Sequence, residues 1–92
     1  MTKNINQLNQ EAKKLLIETL SKLEVREDIR EFLNDFFSSS EVKDFSRRLL
    51  AAQLLSKGKT YQQISRLIGM SPITINKIHF KTRGSKILDK II

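Results

Sequence analysis

Apolar side chains recur along this chain at helical spacing, and no stretch alternates with the period of two that a strand requires. Ile5, Leu8, Ala12, Leu15, Leu16 and Leu20 form the stripe of a first helix over about residues 4–23. A second follows Val25, with Ile29, Phe32, Leu33, Phe36 and Phe37 along one side. The serines Ser38, Ser39 and Ser40 break it. Ser38 and Glu41 stand at capping-box spacing and open a third helix, which runs through Val42, Phe45, Leu49 and Leu50 to Leu54 and Leu55 and stops at Gly58. Thr60 caps a short fourth helix, and Gly84-Ser85 ends a fifth before a last one carrying Ile87, Leu88, Ile91 and Ile92. The pattern predicts an all-α chain of about six helices, one domain over residues 1–92, with no internal repeat and no low-complexity linker.

Residues 61–78, YQQISRLIGMSPITINKI, carry the sharpest signal. Ile64, Leu67 and Ile68 recur at the spacing that turns one helix face onto a core, leaving Gln62, Gln63 and Arg66 elsewhere on the surface. Ser65 is small enough to let another helix cross closely. Gly69 can adopt positive φ and end the helix; Ser71-Pro72 then offers an N-cap hydroxyl and a proline at the first helical position, where its missing N–H is harmless. Ile75 and Ile78 form the buried face of the new helix. Ser71, Pro72, Ile73, Thr74, Asn76, Lys77 and Lys81 remain for its exposed surface. This is a helix-turn-helix over about residues 60–82, whose second helix can enter a DNA major groove. The plainer alternative is an αα-corner of an ordinary helical domain.

Charge changes the picture more by where it lies than by its total of +7. Residues 1–56 carry nine basic and nine acidic side chains, whereas residues 57–92 carry eight basic side chains against Asp89 alone. The excess therefore sits on the half holding the motif, as phosphate neutralisation and steering require. The basic residues interleave with a turn and a capped helix instead of lining one long amphipathic helix, which disfavours membrane binding. There is no cysteine, and His79, the single histidine, is expected at a groove edge or on the surface. A thiolate metal site, a zinc site and a Ser-His-Asp relay are excluded on those counts, so no metal, cofactor or enzymatic activity is expected. The pairs Glu27-Asp28 and Glu41 with Asp44 look like helix N-terminal charges, not an acid/base couple. No apolar run is long enough to span a bilayer and the N-terminus lacks the apolar core of a signal peptide, so a cytoplasmic protein is expected.

The sequence Leu15-Leu16-Ile17 puts apolar groups around more than one face of the first helix. Burial against a second copy would cover them, and twofold symmetry would present two recognition helices about one DNA turn apart. Residues 1–56 thus read mainly as a dimerisation core, with a compact monomer as the alternative.

Through RRLLAAQLLSKGKTYQQISRLIGMSPITINK, within about Phe36 to Lys81, the chain resembles the tryptophan repressor superfamily. A helix ends in LLSKG, the motif helix opens TYQQIS, and a Gly turn leads to T-I-x-K where the repressor has T-I-T-R. The resemblance implies an all-helical intertwined homodimer, with interlocking first helices and a reader formed by the fourth and fifth. It also implies an effector pocket at Arg48 and Lys77, the positions of the family's two pocket arginines. Lys77 lacks the planar guanidinium that stacks on an indole, Ile78 replaces a glycine, and the Gly58 to Gly69 interval is one residue shorter than in the repressor. These departures argue against tryptophan as corepressor and leave any small-molecule effector unassigned.

The reading is a homodimeric, sequence-specific regulator of double-stranded DNA, a repressor acting on a palindromic operator. Gln62, Gln63 and Arg66 approach the backbone or groove edge; Ser71, Pro72, Ile73, Thr74 and Asn76 face the bases, where the Asn76 amide can pair with adenine; Lys77, Lys81 and Arg83 meet phosphates. Two other readings fit the same pattern. One is a protein-interaction module without DNA recognition; the other is a nonspecific nucleic-acid binder, of RNA or DNA, whose RNA form is disfavoured by the scarcity of aromatics after Tyr61.

Overall fold

The computed structural model describes residues 2–91 and contains six helices among them: α1 (Ile5–Ser21), α2 (Arg26–Phe36), α3 (Ser39–Ser56), α4 (Tyr61–Ile68), α5 (Pro72–Thr82) and α6 (Lys86–Ile91). No strand occurs among the described residues. Ile92, expected on the last helix, lies outside them.

Most boundaries are set by local chemistry. Three helices open with complete capping boxes, in which the cap side chain accepts from the N3 backbone and the N3 side chain accepts from the cap backbone: Asn4 with Gln7, Ser38 with Glu41, and Thr60 with Gln63. α2 has no side-chain cap at Val25, but Glu27 and Asp28 in its first turn complement the positive end of the helix.

The chain divides into two compact units, Met1–Phe37 and Ser38–Ile92. In the first, neither α1 nor α2 has a buried residue. Leu15, Leu16 and Ile17 are all exposed, as are Ile5, Leu8, Leu20 and Ile29. Phe32 stacks at 5.1 Å on Phe36 and meets Phe37 edge-on at 6.3 Å, yet Phe36 remains 72% exposed.

In the second unit α3, α4 and α5 pack on one another. Their core is Ala51 and Ala52 of α3, Ile64 of α4, Met70 of the turn, and Ile75 and Ile78 of α5. Two alanines in succession let α3 approach the other helices closely, and Ile64 and Ile75, both fully buried, fill the centre. Burying each isoleucine contributes roughly 1.5–3 kcal/mol.

Leu67 departs from expectation, being exposed. At about 100° per residue, Tyr61, Ile64, Ser65 and Ile68 share one arc of α4, and Leu67 lies about 110° from its centre. The i+3 spacing from Ile64 was real, but a two-turn helix has a narrower buried arc than that spacing allows.

Candidate nucleic-acid interface

Four local devices fix the angle between α4 and α5. Gly69 ends α4 in the left-handed region, at φ 66° and ψ 29°, and its N–H donates to the Ser65 carbonyl. Arg47 of α3 reaches across and donates to the Ile68 carbonyl, satisfying an orphan acceptor at the negative end of α4. Met70 is buried, which pins the turn to the core. Ser71 then caps α5, accepting from the Thr74 N–H at 3.2 Å, with Pro72 at the first helical position.

With Ile75 and Ile78 inward, the outward line of α5 passes through Ile73, Asn76, Lys77 and Phe80, all exposed. Ser71, Pro72 and Thr74 are exposed at its N-terminal end, where the Ser71 and Thr74 hydroxyls hydrogen-bond at 2.9 Å. Gln62 is free on the exposed side of α4, and Arg66 is exposed in its last turn. Gln63 is committed by its Oε1 to the Thr60 cap, which leaves its amine for a partner. Lys81 and Arg83 are exposed at the far end of α5, the Arg83 guanidinium lying 4.8 Å from the centre of the Phe80 ring. The residues expected to meet DNA therefore lie exposed on both helices of the motif, from Gln62 on α4 to Arg83 just past α5.

Of the two expected effector-pocket positions, Arg48 is exposed on α3 and Lys77 is exposed on α5. A concavity of about 290 Å³ between the ends of α3, α5 and α6, lined by residues including Leu55, His79, Thr82, Arg83 and Leu88, includes neither of them.

Three residues, Arg47, Tyr61 and Phe80, escaped the sequence reading. Arg47, neighbour to the expected Arg48, is the arginine that contacts the motif. Tyr61, the first residue of α4, places its hydroxyl 3.1 Å from Asn76 Oδ1 and 2.7 Å from His79 Nδ1. His79, expected at a groove edge or on the surface, is half-buried, with its ring edge-on to Tyr61 at 5.7 Å. Phe80 could have been found by the same helical-face count that selected Ile73; the Tyr61 and Arg47 contacts span 15 to 21 residues and have no local signature.

Glu41 is held below its ordinary carboxyl range, chiefly by the Ser38 backbone N–H and then by the Ser38 hydroxyl. No group of three or more metal-ligating side chains gathers among the described residues, and none of their helices is long and apolar enough to cross a membrane.

A capped two-helix corner whose outer helix exposes Ile73, Asn76, Lys77 and Phe80 has the form of a helix-turn-helix in an all-α chain. The family model described as Trp repressor protein matches residues 11–91, nearly the whole chain, and the chain belongs to that family of DNA-binding transcriptional regulators. Comparison with curated proteins and with solved structures found no match.

Proposed function

We propose that the chain is a transcriptional repressor that binds a palindromic operator as a homodimer, reading bases with the N-terminal half of α5. The observation carrying this reading is the outward line of α5, exposed through Ile73, Asn76, Lys77 and Phe80 while Ile75 and Ile78 anchor the helix. Ser71, Pro72 and Thr74 border the bases at its start. Gln62, the Gln63 amine and Arg66 reach the backbone, and Lys77, Lys81 and Arg83 meet phosphates.

Dimerisation is supported by α1 and α2, which carry apolar stripes and hold no buried residue among those described. Leu15, Ile17, Phe36 and Phe45 each expose more than half of their surface. A second copy with the same stripes supplies a matching face through twofold symmetry. Tryptophan is not the corepressor in this reading, since Lys77 and Ile78 stand where the family's stacking arginine and small glycine do.

Selection of bound duplexes from a random library tests the proposal. A palindrome with half-sites about one helical turn apart is expected. Unrelated sequences would leave a nonspecific binder, and no enrichment would leave an interaction module.

A further inference from the structure

The hydroxyl of Tyr61 stands between two side chains of α5, 2.7 Å from His79 Nδ1 and 3.1 Å from Asn76 Oδ1. A phenol has one proton to give. With that proton donated to Asn76 Oδ1, the short contact to His79 requires Nδ1 to carry a hydrogen and donate to the phenol oxygen. The result is a directed chain from His79 through Tyr61 to Asn76. His79 and Tyr61 are both half-buried and their rings pack edge-on, so the chain rests on the core side of the reader; Asn76 is its exposed end.

An asparagine reads adenine by using both ends of its amide, the oxygen accepting from N6 and the amine donating to N7. Here the oxygen is drawn back toward Tyr61. The amine, on the other side of the same carbon, has no hydrogen-bond partner among the described residues, and it can only donate. Guanine alone offers two adjacent acceptors on its major-groove edge, O6 and N7, whereas adenine N7 stands beside the N6 donor and thymine O4 beside the C5 methyl.

Resting on the DNA-reader assignment above, we infer that Tyr61 is a specificity-positioning residue: backed by His79, it holds the Asn76 oxygen so that the Asn76 amine faces the base edge and selects a G·C pair in place of the A·T pair that a free asparagine reads. Tyr61 touches no base in this arrangement. Its effect on sequence passes through one side chain, at one position in each half-site.

Random-duplex selection with the full chain, Asn76→Ala and Tyr61→Phe tests this, with thermal melting of each variant alongside. Asn76→Ala alters an exposed side chain and flattens the preference at the position that Asn76 reads. The wild-type base pair there is expected to be G·C. Tyr61→Phe frees the oxygen and admits A·T at that position, narrowing the wild-type preference by roughly tenfold, while the salt dependence of binding stays unchanged. An A·T pair at the wild-type position overturns the inference, because it corresponds to the reversed chain in which Tyr61 donates to His79 and the oxygen turns outward. So does an Asn76→Ala profile with no flattened position, or a Tyr61→Phe profile identical to wild type. Should Tyr61→Phe lose its cooperative melt, the base pair at the position flattened by Asn76→Ala decides alone. Failure of the wild type to enrich any sequence refutes the reader itself, a result distinct from all of these.

Discussion

Replacing Gly69 by alanine isolates the contribution of backbone conformation to the turn. Gly69 lies at φ 66° and ψ 29°, where an L-residue's Cβ crowds the following carbonyl, at a cost of about 1–2 kcal/mol. Space is not the difficulty, since a Cβ built there meets only Arg47 Nη2, at an ordinary contact distance of 4.0 Å. The expected loss is therefore the backbone term alone, about 1–2 kcal/mol, or a melting temperature lower by about 4–8 °C for each kcal/mol in a domain of this size. Gly69→Asn should lose less, because asparagine enters the left-handed region more readily. Thermal and urea unfolding followed by circular dichroism, at one fixed protein concentration because association shifts apparent stability, measures both variants. Equal losses for alanine and asparagine, or no loss for alanine, would refute the backbone argument. A loss well above the estimate would mean that the Arg47 contact with the turn is sterically disturbed after all.

Three further outcomes are expected. Affinity for DNA should fall steeply with salt, each phosphate contact adding about −0.9 to the slope of log affinity against log salt; a slope near zero in a titration series removes the electrostatic part of the proposal. Glu41 has a lowered folded pKa, so its contribution to stability is present above the ordinary value of 4.5 and is lost as pH falls through the folded value; melting temperatures across the acid range should decline there, and Glu41→Gln should weaken that dependence. Free tryptophan should neither bind at micromolar level by calorimetry nor change operator affinity, because Lys77 and Ile78 stand where the family's stacking arginine and close-packing glycine do; dependence of DNA binding on tryptophan would show that Lys77 substitutes for arginine.

The helices were legible in the chain because their ends are written within three or four residues of one another. Ser38 with Glu41, Thr60, Gly58, Gly69 and Ser71-Pro72 each act on neighbours along the backbone, and all sit where the spacing indicated. The Asn4 and Gln7 box follows the same rule at α1. Gln63 was legible as an exposed polar residue, but its spacing from Thr60 gives it a capping task as well. Side-chain partnerships between helices were not legible. Which of Arg47 and Arg48 reaches α4 depends on how α3 is rotated about its axis, a property of packing that two adjacent arginines do not reveal. The contact of Tyr61 with Asn76 likewise depends on the crossing of α4 and α5, which Ile64, Ile75 and the paired alanines set together.

The separation between anchoring and outward residues on α5 bears on how such a chain diversifies. Ile75 and Ile78 hold the helix, whereas Ile73 and Lys77 are exposed and outside the core. Substitutions at those two positions are expected to be nearly neutral for folding, so a duplicated copy can change its outer face while remaining a stable protein. Asn76 differs, being hydrogen-bonded to the half-buried Tyr61. If Asn76 reads a base as inferred above, divergence at that position involves two side chains together and would be the slowest change on this face.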